Sequence, residues 1–145
     1  MASLDLIGFD ELADAMIRIS EVPWDVMEKS LNAMAAVAAD KIRATGESMG
    51  VRDPESKVHI LDKIKPAKAR RTRYGGMQKI TFSGSRKRGD IRTRNAEIAY
   101  VNEYGKRSQT ARPFILTAME SNADEISDAG EKIFGDWTEK EFVRD

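Results

Sequence analysis

Met77-Gln78-Lys79-Ile80-Thr81-Phe82-Ser83 is the one run in this chain with a clear strand pattern. Ile80 and Phe82 alternate with polar neighbours, the period of a strand buried on one face. Gly75-Gly76 precedes the run and Gly84 to Gly89 follows it, so a hairpin or meander over residues 67–96 is expected. Helical patterns enclose this region instead of alternating with it, which places the chain in the α+β class. The expected architecture is long N-terminal helices packed on a small antiparallel β-sheet with basic hairpin loops, closed by a C-terminal helix.

Upstream, Phe9, Leu12, Ala13, Met16 and Ile17 recur at helical spacing behind Asp10 as N-cap, predicting a short first helix over 9–19. Pro23 suits the first turn of a second helix running to about Ala44. Its buried stripe reads Trp24, Met27, Leu31, Met34, Ala38 and Ile42, and Gly46 is placed to end it in a left-handed cap. The Ala-rich run 33–39 admits close approach by another backbone. Residues 46–57 read as a loop, and Ile60, Leu61 and Ile64 fit one helical turn.

Downstream, residues 96–104 satisfy either a strand or a short helix capped by Gly105, and the Tyr100/Tyr104 spacing favours the helix. After a polar loop over 106–112, Pro113 opens one final helix with the stripe Phe114, Ala118, Met119, Ile126, Ala129, Ile133 and Trp137. Trp24 and Trp137 read as packing residues. No internal repeat or low-complexity tract appears.

The chain has 145 residues, 24 basic and 24 acidic, with one His and no Cys. It reads as a single domain over 1–145, large enough for a core without covalent staples. The lack of Cys excludes disulfides, thiolate zinc sites and Cys nucleophiles, and His59 alone cannot supply the paired imidazoles of most zinc sites. His59 is expected to be a partly buried or surface imidazole. No basic-then-apolar start and no membrane-length apolar run occurs, so the chain is expected to be cytosolic where it is made.

Zero net charge conceals a polarised chain: residues 1–50 carry −5, 51–64 carry 0, 65–94 carry +10 and 95–145 carry −5. The basic block can attract nucleic acid or the acidic parts of another copy. Arg70, Arg71, Arg73, Arg86, Lys87 and Arg88, at the presumed loop ends, are the candidate subunit-contact or DNA-channel residues. The bland alternative is a solvated hairpin. Glu120, Asp124, Glu125, Asp128 and Glu131 follow the spacing of a wet helix face, not of a metal site.

Residues 99–120 carry a more specific signal: Ala99-Tyr100-Val101-Asn102-Glu103-Tyr104-Gly105, a seven-residue polar loop, then Pro113-Phe114-Ile115-Leu116-Thr117-Ala118-Met119. This pattern resembles the tail-component family of long-tailed siphophages, whose members complete or terminate the tail at the head-to-tail neck. The motif residues are Glu103, Tyr104, Gly105, Pro113 and Phe114. Lys106 stands where that family usually has Thr or Ser, and His59-Ile60-Leu61 lacks the family's preceding Thr-Gly step. The resemblance implies a virion structural protein, assembled in the host cytoplasm into a ring, expected to be a hexamer. Its partners would be its own copies, tail-tube and head-connector proteins, and DNA passing through the channel. It implies no enzymatic activity, no cofactor and no membrane.

Read by themselves, Glu103 is first a carboxylate capping or bonding its local turn and second a charge at a subunit seam. Tyr104 and Phe114 are expected as core anchors, and Gly105 as a positive-φ residue. The alternative function is a small architectural DNA-binding protein gripping the minor groove with a basic β-ribbon. Against it, the ribbon is read as lacking an apolar wedge. A hydrolase or nuclease has little support, because neither paired acids on strands nor a phosphate-binding Gly-rich loop occurs.

Overall fold

The computed structural model describes residues 22–52, 59–73 and 75–142. The helix expected over 9–19 lies outside them. Helix α1 spans Trp24–Ser48, and the Pro23 carbonyl accepts from the amides of Val26 and Met27. It continues past Ala44, and Gly46 is not its cap. Gly46 is buried inside the helix, where a Cβ would stand 2.5 Å from Leu61 Cδ2 and 3.2 Å from Phe114. Glycine is needed there because two core side chains press on the helix backbone; the left-handed residue is Gly50, with φ 71°. The buried line is Val26, Ala35, Ala38, Ala39, Ile42 and Gly46, while Trp24, Met27, Leu31 and Met34 are only half-buried. Small side chains at the centre let two other helices approach closely.

A 3-10 turn over Ile60–Lys63 leads into β1, Ile64–Pro66. β1 pairs antiparallel with β4, Ile80–Phe82, with Ile64 opposite Phe82 and Pro66 opposite Ile80. Between them sits a hairpin of β2, Arg70–Thr72, and β3, Gly75–Met77. A further hairpin joins β5, Ser85–Arg88, to β6, Ile91–Arg94. The expected small sheet is therefore three separate two-stranded antiparallel ladders. Met77 belongs to the β2/β3 ladder, and Gln78 leaves the pairing to donate from Nε2 to the Ala67 carbonyl at 2.8 Å. The alternation holds over β4, where Ile80 and Phe82 are half-buried and Thr81 is exposed.

Residues 95–104 resolve as a helix, α2 (Asn95–Tyr104), ended by Gly105 at φ 77°. The C-terminal pattern resolves as two helices, α3 (Phe114–Ser121) and α4 (Ala123–Phe142). Asn122 separates them: its side chain donates to the Ala118 carbonyl at 2.9 Å, competing with continued helix. Both α3 and α4 pack on α1. Met119 is displaced from the buried stripe and is 39% exposed. Ser30 in α1 donates to the Gly130 carbonyl of α4 at 3.0 Å, marking the close approach there.

The core gathers Ile42, Leu61, Ile64, Ala99, Phe114 and Ala118, from α1, the 3-10 turn, β1, α2 and α3. Leu61 and Phe114 are fully buried, each stabilising the fold by about 2 kcal/mol through area removed from water. Phe82 meets Phe114 edge-on at 6.0 Å between ring centroids. Among the described residues no helix is long and apolar enough to cross a membrane.

Candidate interaction surface

The motif residues lie around the junction of α2 and α3. The Glu103 carboxylate is buried and accepts from the amides of Ile115 at 2.8 Å and Leu116 at 2.9 Å. It therefore caps the start of a helix twelve residues downstream, where amides lack intrahelical partners. Gly105 reverses the chain: a Cβ on it would stand 2.8 Å from the Ala111 amide nitrogen and 2.9 Å from the Gln109 carbonyl. The loop is tied back by the Arg112 amide to the Asn102 carbonyl at 2.6 Å and by the Arg112 guanidinium to the Gly50 carbonyl at 2.8 Å. Phe114 then enters the core. Glu103 capping holds, though the turn it bonds is not its own.

Tyr104 does not anchor the core. The buried face of α2 carries Asn95, Ala99, Asn102 and Glu103, and Tyr104 falls outside that face, 69% exposed. Its ring packs on Tyr100, itself 64% exposed, at 4.7 Å. Trp24 and Trp137 are half-buried, as expected of packing residues.

The six candidate cations fall on two ribbons. In β2, Arg71 lies with its guanidinium 5.3 Å from the Trp24 ring centroid, a cation–π contact that holds this ribbon to α1. Arg70, opposite Met77, is on the other face of the ladder, and Arg73 follows at the turn. In β5, alternation separates Arg86 and Arg88 from Lys87. Arg86 and Arg88 line an open polar cleft of about 850 Å³, together with Arg52, Lys106 and Arg112 and the acid Glu97. Lys87 shares the opposite face with its cross-strand partner Arg92. His59, also on the cleft wall, has a buried Nδ1 without a hydrogen-bond partner. The basic block thus presents separate faces, not one continuous patch.

Beside the cleft, Arg52 is held between two carboxylates. Its Nε donates to Glu47 at 2.7 Å, and its two terminal nitrogens meet Asp62 at 2.9 and 3.2 Å. The hydrogen bonds from Arg52 hold both carboxyls below their ordinary values of 4.5 for Glu47 and 3.8 for Asp62. Folded values below unfolded ones mean stability that is present above the ordinary carboxylate range and lost as pH falls through it. Arg52→Met is expected to lower stability at neutral pH and to flatten its decline below about pH 5, read from urea midpoints across pH. Both carboxylates are about half exposed to solvent, so the effect is small.

Two features were not legible in the sequence. Ile91, beside the β5/β6 turn, is 71% exposed, so the ribbon does carry an apolar residue that could serve as a wedge, against expectation. Leu116 on α3 is 54% exposed, on the side of the helix away from Phe114 and Ala118. Glu120, Asp124, Glu125, Asp128 and Glu131 are all exposed, with Glu125 paired to Lys41 at 2.9 Å. Among the described residues no cluster of three His, Asp or Glu side chains could hold a metal ion. Comparison of the chain with models of protein families, with curated proteins and with solved structures found no match.

Proposed function

We propose that this chain is a phage virion structural protein, a tail-completion or terminator ring at the head-to-tail neck, with no catalytic role. The observation that supports this most is that the family-like motif works as one device. Glu103 caps α3, Gly105 turns the chain, and Phe114 locks the helix into the core. A motif that rigidifies a scaffold, while leaving a basic ribbon and acidic helices outside, suits a protein whose task is fitting against copies of itself. A basic lumen would also hold or guide a phosphate backbone without reading bases.

Electron microscopy of the purified protein with and without tail tubes tests this reading. Rings, alone or seated on tube ends, are expected; particles that join head to tail normally without the protein would overturn it.

The exposed Ile91 within a basic ribbon favours a second reading, an architectural protein that binds duplex DNA. Nanomolar duplex binding with a steep salt dependence is its signature. Failure to bind at low salt removes it.

A further inference from the structure

We infer that the β5/β6 hairpin of one copy docks on the outer faces of α2 and α3 of the next, with Ile91 seated against Tyr100, Tyr104 and Leu116. This inference rests on the ring reading and names the surfaces that would close it. The exposed large apolar side chains of α2 and α3 are Tyr100, Tyr104, Leu116 and Met119, and the β5/β6 hairpin exposes Ile91. Neither set is covered by the described residues of its own chain. The exposed Tyr100–Tyr104 pair, the exposed side chains of α3 and the exposed hairpin tip each gain by leaving water.

Charge selects the same pairing. Residues 85–94 contain Arg86, Lys87, Arg88, Arg92 and Arg94 against Asp90. From 114 to 131 the chain holds five acids and no base, all five exposed. Within the hairpin, Lys87 stands directly opposite Arg92, a like-charge cross-strand pair that weakens the ribbon until an anion approaches. Carboxylates such as Glu120 and Asp124 on the neighbouring copy would relieve that repulsion while Ile91 finds apolar cover. Duplex phosphate would relieve it too, yet would leave the aromatic pair in water and would be repelled by the acidic helices.

The two surfaces are made of different residues, so in the ring that the inference rests on the contact is heterologous and repeats head-to-tail from each copy to the next. Tyr100 and Tyr104 have the composition of an interface centre, with Glu120 and Asp124 as a polar rim.

The chain has no cysteine, which makes disulfide trapping direct. Full-length Ile91→Cys and Leu116→Cys chains are mixed under mild oxidation and analysed on non-reducing gels. A covalent dimer is expected from the mixture and at least tenfold less from either variant alone. In parallel, the chain carrying Lys87→Glu and Arg92→Glu is expected to lose self-association in sedimentation velocity. Adding Glu120→Lys and Asp124→Lys to that chain is expected to restore it. Circular dichroism verifies that each variant is folded. Ile91→Cys pairing with itself, or rings of the unsubstituted chain without the mixed cross-link, would overturn this interface and leave the ring reading standing. A monomer at every concentration with no cross-link, on and off tail tubes, would overturn both. Loss of tight duplex binding in the Lys87→Glu, Arg92→Glu chain, with no cross-link, would assign the hairpin to DNA and overturn the inference.

Discussion

Phe114→Ala is expected to destabilise the protein by about 3–5 kcal/mol, the range for removing a fully buried aromatic ring from a packed core. The ring is completely shielded from water, meets Phe82 edge-on at 6.0 Å and presses on the backbone of α1 at Gly46. Truncation leaves a void where α1, α3 and β4 converge. Gly46 offers no side chain to fill it, and Leu61, already fully buried, is held on its own side. A loss of that size is a large fraction of the roughly 5–15 kcal/mol that keeps a typical domain folded. Urea denaturation should show a much lower midpoint at an unchanged slope, or no folded baseline. Phe114→Leu, which keeps most of the volume, should retain a cooperative transition. A Phe114→Ala chain within about 1 kcal/mol of the original would show that this ring is not the keystone of the core.

Glu103→Ala is expected to cost about 2 kcal/mol, combining the loss of a helix cap with two amides left unsatisfied near the core. The carboxylate accepts two hydrogen bonds at 2.8 and 2.9 Å, and both donors belong to the first turn of α3. Glu103→Gln should fall between the two, because its single carbonyl oxygen can serve one amide while its own amide group opposes the other. Faster hydrogen exchange at Ile115 and Leu116, greater than elsewhere in α3, is the local readout. A subunit-seam role predicts a different result: unchanged monomer stability with altered assembly. Measuring both separates a cap from a contact.

The long helix from Trp24 to about Ala44, though not its true end at Ser48, the turn at 60–63, the strand at 80–82 and the helix ended by Gly105 were legible because each is written in local chemistry. Apolar spacing, proline and a glycine near a helix end act over a few residues. The Glu103 cap was legible as a role and not as an address. The residue type announces an acceptor, but its donors lie twelve and thirteen residues away, where only the loop over 106–112 delivers them.

Composition and periodicity suffice for the α+β class and the segregation of charge, and the family resemblance singled out the residues of the α2–α3 junction. Long-range packing was needed to show that Gly46 serves a close approach and not a cap, that the last helix breaks at Asn122, and that Tyr104 faces outward. It also divided Arg86 and Arg88 from Lys87. Each of these depends on which distant segment packs against a given face. Burial is a property of that pairing and not of a residue's own hydrophobicity, so a tyrosine at helical spacing can equally end in the core or on the surface.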